Sequence, residues 1–282
     1  MNTEKAIRID LADYVRAGEG ANGESYNHRS DPDVMLKLYH PGKVQQPLDE
    51  MRIARSVFEA GIPTPEPGDY VTDGERFGIR FRRIRDKVSY ARAVGDHPEL
   101  VDRYAGEFAE MCRKLHATHV DTTVFESVKA RYLRQLGNNP FFSSVEKDLL
   151  ARFISDAPDT DTAIHGDLQF GNVIFSGDRR YFIDLGDFCY GYPLFDVGMV
   201  YSTAYLSDPA FVREAFHMEP ETAVRFWQAF ASVYFGTDRP LRDIEAEVRP
   251  FAGLKTLIIE RDARCPRPEF RAILEKTIYR LP

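Results

Sequence analysis

The run Ala163-Ile164-His165-Gly166-Asp167-Leu168-Gln169-Phe170-Gly171-Asn172-Val173-Ile174-Phe175, continued by Ser176-Gly177-Asp178-Arg179-Arg180-Tyr181-Phe182-Ile183-Asp184, decides how the rest of the chain is read. Val173-Ile174-Phe175 and Tyr181-Phe182-Ile183 are strand formers, and the Ser-Gly-Asp cluster between them is a turn. The pattern predicts a β-hairpin. With its centre near Asp178, Asn172 and Asp184 become cross-strand partners at the open end, within roughly 5 Å of each other. An amide oxygen beside a carboxylate is a suitable pair of hard oxygen ligands for Mg²⁺. Asp167 precedes Asn172 on a loop led by glycine, placed to face the same spot and to act as a base. Any one of these three alone reads as a turn former or a cap, the common use of Asp and Asn. Their joint spacing points instead to a site.

Outward from this island the chain divides in texture. It has 282 residues, 43% of them hydrophobic and 29% charged, which is enough apolar material for a sizeable core and excludes a disordered chain. Lys and Arg number 37 against 44 Asp and Glu, a net charge of −7. That balance lacks the electrostatic footprint of a nucleic-acid binder or of a protein that docks on anionic membranes. Cys112, Cys189 and Cys265 are dispersed and odd in number, against a disulfide framework and in favour of a reducing compartment. Charges occupy the first residues where a signal peptide needs an apolar run, and no stretch is apolar enough to span a membrane. The expectation is a soluble, cytoplasmic protein. Residues 1–87 read as short strands around one helix at about 47–60, which Gly61, Pro63 and Pro65 end. A connector follows at about 83–90. Residues 88–282 read mostly as helices, at about 101–115, 124–136, 144–156, 208–217, 221–235, 241–263 and 268–280, interrupted by the hairpin. By charge, residues 1–87 hold 14 basic and 15 acidic groups and the remainder 23 and 29, so the acidity lies mostly in the second part.

The D-x4-N spacing, closed by an Asp behind two apolar residues, matches the phosphoryl-transfer pattern of a catalytic-loop Asp and Asn with a strand-borne metal Asp. His165-Gly166-Asp167-x4-Asn172 followed by Ile183-Asp184 resembles the signature of aminoglycoside phosphotransferases and their choline-kinase-like relatives. The resemblance covers at least residues 14–200. It implies an α+β, protein-kinase-like bilobal fold. A small antiparallel β-sheet lobe with one main helix would bind nucleotide, and a larger helical lobe would carry the catalytic β-hairpin. It further implies ATP or GTP with Mg²⁺ as cofactors and a small-molecule hydroxyl as acceptor, with no nucleic-acid or membrane partner. Asp196 matches the further Asp of that family, at the head of a helix whose N-terminus it would cap. His165 is expected to be structural, and His116 to lie in the core.

The front of the chain agrees. Gly18-Glu19-Gly20-Ala21-Asn22-Gly23 is a G-x-G-x-x-G, but Ser30-Asp31-Pro32-Asp33 breaks the chain where a dinucleotide fold needs a long helix. A glycine-rich hairpin whose N–H groups cover phosphates fits better, with Gly18, Gly20 and Gly23 as its nucleotide-binding glycines. Lys37 sits in the otherwise apolar Met35-Leu36-Lys37-Leu38-Tyr39, where a buried ammonium needs a partner. The resemblance makes it the lysine that contacts nucleotide phosphates. Of the acids on the following helix, Glu50 shares a face with Ile53, Ala54 and Val57, while Glu59 shares one with Arg55 and Ser56. The inward face selects Glu50. The family resemblance also puts adenine against the backbone of the connector at about Arg83 to Lys87. Asp187, Tyr190 and Tyr192 follow the metal Asp and are candidates for the acceptor pocket. Two other readings stand beside this one. The first is a catalytically silent nucleotide-binding regulator, which would be expected to lack one of these parts. The second is a protein kinase, against which stand Leu185-Gly186-Asp187 after Asp184 and the lack of an Ala-Pro-Glu.

Overall fold

The computed structural model describes residues 5–20, 22–258 and 268–279. The chain forms two compact units, Met1–Val88 with Ile174–Gly186, and Ser89–Val173 with Asp187–Pro282. The hairpin is divided between them, so most of it packs with the front of the chain and not with the helices that flank it in sequence.

The first unit opens with β1 (Ile7–Arg8), β2 (Tyr14–Gly20), β3 (Gly23–His28) and β4 (Val34–Tyr39). Helix α1 (Gln45–Glu59) follows, then β5 (Pro67–Thr72) and β6 (Phe77–Arg82). They make one sheet in the order β1-β5-β6-β4-β3-β2, antiparallel throughout except for the two-residue edge strand β1, which runs parallel to β5. Alternation along β4 sorts its side chains. Leu36 and Leu38 face one way, into a cluster with Ile9, Tyr14, Tyr26 and Val71. Tyr39 faces the other way, with Met51 of α1, Tyr70 and Ile79, and Lys37 shares that face. On α1 the buried residues are Pro47, Glu50, Met51, Ala54 and Val57, a stripe at helical spacing that holds the helix on the sheet. Gly61, at φ 77°, and Pro63 stop it as the sequence predicts.

Strand β7 (Val88–Ser89) precedes the helices, and β9 (Val173–Ser176) and β10 (Arg179–Phe182) form the hairpin; the three make a small sheet in the order β10-β9-β7. The turn is Gly177–Asp178, with Gly177 at φ 55°, as a two-residue turn led by glycine requires. The hairpin is therefore centred between Gly177 and Asp178, half a residue before the position that the sequence pattern suggests, and Asp184 lies beyond the end of β10. In the first unit Ser176 Oγ donates to the Arg85 carbonyl (2.7 Å) and the Phe182 N–H donates to the Pro63 carbonyl (2.8 Å).

The second unit is helical. It comprises α2 (Tyr90–Asp96), α3 (Val101–His116), α4 (Val128–Asn138), α5 (Ser144–Asp156), α6 (Leu194–Tyr205), α7 (Pro209–Phe216), α8 (Pro220–Phe235), α9 (Leu241–Ile258) and α10 (Pro268–Thr277). A two-stranded ladder of β8 (Ala163–Ile164) and β11 (Cys189–Tyr190) lies among them. The helix expected over 241–263 is described to Ile258; residues 259–263 and Cys265 lie outside the described residues. Phe108 of α3 is the centre of an aromatic core, with ring centroids 5.5 Å from Tyr90, 5.6 Å from Phe226 and 6.0 Å from both Phe170 and Phe230. Each such ring contributes about 1.5–3 kcal/mol by leaving water. Among the described residues no helix is long and apolar enough to cross a membrane.

Candidate active site

In the first unit the face of β4 that carries Lys37 becomes chemistry. Lys37 Nζ donates to Glu50 Oε1 (2.7 Å) and Oε2 (3.0 Å), and to Asp184 Oδ1 (2.9 Å). The Tyr39 hydroxyl also donates to Glu50 Oε2, and its ring lies 5.1 Å from the Lys37 ammonium. The side chains of Lys37 and Glu50 are 20% and 6% exposed, so neither charge relies on water, whereas Asp184 is 43% exposed. Burial alone would drive the Lys37 ammonium toward neutrality, but the carboxylates of Glu50 and then Asp184 outweigh it and hold the lysine above its ordinary range. Burial, followed by the Glu50 charge, pushes the Tyr39 phenol far up, so that it serves as a hydrogen-bond donor. Glu59 is exposed, and the inward stripe of α1 brings Glu50 to the lysine. Asp184 has φ 60°, a left-handed conformation that Asp tolerates better than most residues and that aims its carboxylate back at Lys37.

The glycines of the β2–β3 hairpin take separate places. Gly18 pairs with Ser25 after a bulge, and Gly20 pairs with Gly23. Ala21 lies outside the described residues. A Cβ at Gly23 would run into the Leu38 carbonyl oxygen, so this glycine is required by the close approach of β3 to β4.

In the second unit the loop after β8 carries Asp167. Leu168 and Phe170 are fully buried while Asp167 and Gln169 are partly exposed, so two apolar anchors hold the loop down and leave Asp167 partly open to solvent. Asn172 Nδ2 donates to the Asp167 carbonyl (2.9 Å) and to Asp167 Oδ2 (3.0 Å), tying the D-x4-N pair together. Gly166, at φ 82°, sits so tightly beneath the Asp187 carbonyl that no side chain fits.

Asp196 corrects the sequence reading. It is fully buried and lies inside the first turn of α6, where Pro193 takes the cap position and makes no side-chain cap bond. Its carboxylate turns away from its own helix and accepts from the backbone N–H of His165 (2.6 Å, Oδ2) and of Gly166 (2.9 Å, Oδ1). Those two donors need a buried acceptor more than the start of α6 needs a cap. His116 is buried as expected, yet it also joins the network, with Nε2 3.2 Å from Asp196 Oδ2 and Nδ1 2.7 Å from the Tyr234 hydroxyl. His165 is fully buried, and its Nδ1 accepts from the Asp167 N–H (3.3 Å).

A family model described as the phosphotransferase enzyme family (APH) matches residues 13–230. The chain belongs to this family. It is a phosphotransferase of the kinase class that acts on hydroxyl groups, with a mixed α+β, kinase-like fold. No curated protein sequence matches the chain. Among solved structures, a choline/ethanolamine kinase family protein from Mesorhizobium loti is 18% identical, with a TM-score of 0.57 over 95% of this chain and 86% of that one. The GDP and kanamycin complex of APH(2″)-IIIa is 17% identical, with a TM-score of 0.57 over 95% and 93%. The streptomycin–ATP–APH(2″)-IIa ternary complex is 15% identical, with a TM-score of 0.57 over 88% and 86%.

The remaining candidates of the phosphotransferase separate along the β8–β11 ladder. Tyr190 pairs with Ala163 and Cys189 with Ile164, so the strand runs from Asp187, next to Gly166, away from Asp167. Tyr190 and Tyr192 line instead a depression of about 460 Å³ with Ser127, Lys129, Asp159 and Asp161. The Tyr192 hydroxyl donates to Glu247 Oε1 (3.3 Å). Arg131 of α4 escapes sequence reasoning. Its buried guanidinium donates to the carbonyls of Asp187 and Phe188 (3.2 Å for the latter) and so fixes the segment that follows Asp184 in sequence. Its local partner, Glu126 Oε2 (3.3 Å), reads as an ordinary surface pairing, and the two carbonyls that give Arg131 this role lie far along the chain.

Proposed function

We propose that this phosphotransferase moves the γ-phosphoryl group of ATP, or of GTP, to a hydroxyl of a small molecule. The observation that carries this reading is the Lys37 ammonium held by Glu50 beside the Asp184 carboxylate, within one unit of the structure. A cation kept charged in a largely buried place is suited to phosphate oxygens, and Glu50 keeps it in place. Asp167 accepts or orients the proton of the acceptor hydroxyl, and Asn172 fixes that carboxylate through its amide N–H. The glycine hairpin of Gly18, Gly20 and Gly23 covers the phosphates with backbone N–H groups.

The donors present suit Mg²⁺. Asn172 and Asp184 would supply a carboxamide and a carboxylate oxygen, both hard ligands. An ion that takes few protein oxygens and completes its shell with phosphates and water fits that set. When bound, it would supply positive charge against the negative charge that develops during phosphoryl transfer. Asp196, bonded to the loop backbone, and Arg131, bonded to the carbonyls of Asp187 and Phe188, keep the surroundings of Asp167 rigid. Proteins of like fold crystallise with GDP and kanamycin and with ATP and streptomycin, which supports a nucleotide donor and a small polar acceptor.

The test is consumption of ATP and of GTP in a screen of hydroxyl-bearing amines, sugars, antibiotics and amino acids, run beside Asp167→Ala. Turnover with an acceptor should fall by at least ~10²-fold in the variant, with nucleotide affinity retained. Near-normal turnover in Asp167→Ala removes its assignment as the base. Transfer of labelled phosphate to protein, and not to a small molecule, would move the enzyme to the protein-kinase class.

A further inference from the structure

We propose that Tyr234, on α8, is a positioning residue for the loop that bears Asp167, acting by locking His116 in the tautomer that carries its proton on Nε2. The inference rests on the reading of Asp167 as the base. His116 closes α3 and is buried between two partners, with Nε2 3.2 Å from Asp196 Oδ2 and Nδ1 2.7 Å from the Tyr234 hydroxyl. A carboxylate has no proton to offer, so Nε2 is the donor in the first contact. A neutral imidazole protonated there has a bare Nδ1, which needs a donor of its own. The Tyr234 hydroxyl is that donor. It has no other hydrogen-bond partner among the described residues. Burial, and then the nearness of Cys112 and Asp196, keep its phenol far above the ordinary tyrosine range, so the proton is always present to give.

The ring is held as firmly as the hydroxyl. It stacks on Phe230 at 5.3 Å and meets the His116 ring edge-on at 5.7 Å, which aims the O–H bond at Nδ1. The consequence runs through Asp196. Its Oδ2 takes the His165 N–H as well as His116 Nε2, and its Oδ1 takes the Gly166 N–H. The opposite tautomer would turn a ring lone pair toward Oδ2, and the carboxylate that holds the 165–166 backbone would be pushed from its place. Asp167 is the next residue. Tyr234, distant in sequence from the loop, thus sets the proton on which the placement of Asp167 depends.

The experiment reads the proton directly. Long-range ¹H–¹⁵N spectra of protein labelled at the histidine rings should give His116 a protonated Nε2 and a bare Nδ1. In Tyr234→Phe, which keeps the ring and its stacking, the Nδ1 resonance should shift from the bare, hydrogen-bonded position. The turnover number should fall about five- to tenfold while nucleotide affinity stays unchanged, the size expected for one buried hydrogen bond. In a His116→Asn background, Tyr234→Phe should have no further effect on turnover, because its influence passes through His116. A wild-type spectrum with Nδ1 protonated overturns the proposal, and so does an unchanged turnover in Tyr234→Phe. The spectrum needs no acceptor, so it stands even if Asp167 proves not to be the base, whereas that failure shows as unimpaired turnover in Asp167→Ala.

Discussion

Replacing Glu50 by Gln removes one charge and almost no volume from the pair that holds Lys37. Two unit charges about 4 Å apart attract by roughly 4 kcal/mol at an effective dielectric near 20. Desolvation of both groups takes back much of that, and the variant keeps an amide oxygen and the Asp184 carboxylate as acceptors for Lys37. A hydrogen bond to a charged group contributes about 1.5–3 kcal/mol, so a net loss near 2 kcal/mol is expected. For a chain of this size that is a fall of roughly 3–4 °C in Tm. Nucleotide affinity should fall as well, since a lysine freed from Glu50 is no longer held where phosphate oxygens need it. Thermal unfolding with and without ATP measures both quantities. Glu59→Gln, on the exposed side of α1, is the control and should lie within about 0.5 kcal/mol of the parent. A Glu50→Gln protein with the Tm and nucleotide affinity of the parent would refute the reasoning, because the pair would then contribute neither stability nor order.

Three further outcomes are expected. Asp196→Ala leaves the buried N–H groups of His165 and Gly166 without their carboxylate, at about 1–3 kcal/mol for each donor, and should lower both Tm and turnover; activity equal to the parent would show that the loop holds itself. Gly166→Ala combines a left-handed φ with a clash against the Asp187 carbonyl and should cost more than the roughly 1–3 kcal/mol of backbone strain alone, whereas Gly177→Ala, with open space around it, should cost the strain only. The folded-state pKa of Lys37 is raised, so the stability from its ion pairs is full below the unfolded value of about 10.4 and is lost as pH rises through the folded value. Urea unfolding from about pH 9 to 12 should show a plateau and then this alkaline loss in the parent, with a shallower loss in Glu50→Gln.

Much of the site is legible because it is local. Lys37 stands out as one charge in an apolar strand, and Glu50 as one acid on an apolar helical stripe, and the two faces must meet for either to be buried. The D-x4-N loop is legible for a similar reason, since Asn172 closes it on Asp167 through bonds within a single turn. Asp196 misleads. An acid at the head of a helix has a standard local use, and only the tertiary structure discloses that two backbone N–H groups thirty residues earlier claim it instead. The roles of Arg131 and Tyr234 leave no signal in the sequence, because the Asp187 and Phe188 carbonyls and the His116 ring that define them are brought near only by folding. The centre of the hairpin slips by half a residue because a Ser-Gly-Asp cluster specifies that a turn occurs but not which two residues form it. Strands of two residues, such as β1, β8 and β11, are too short for alternation to mark.

The division of the hairpin has a consequence for biosynthesis. The first unit is discontinuous, because it includes residues 174–186 and with them Asp184, the third member of the Lys37–Glu50 cluster. A ribosome that has released residue 88 has not yet made the piece that completes this unit. The whole segment from Ser89 to Val173 must be synthesised first, a wait of roughly 4–17 seconds at about 5–20 residues per second. Until then the nascent sheet carries Lys37 with only one of its two carboxylates. A fragment ending near residue 88 would stay in that state permanently, so the first unit is not a module that can be cut out by truncation.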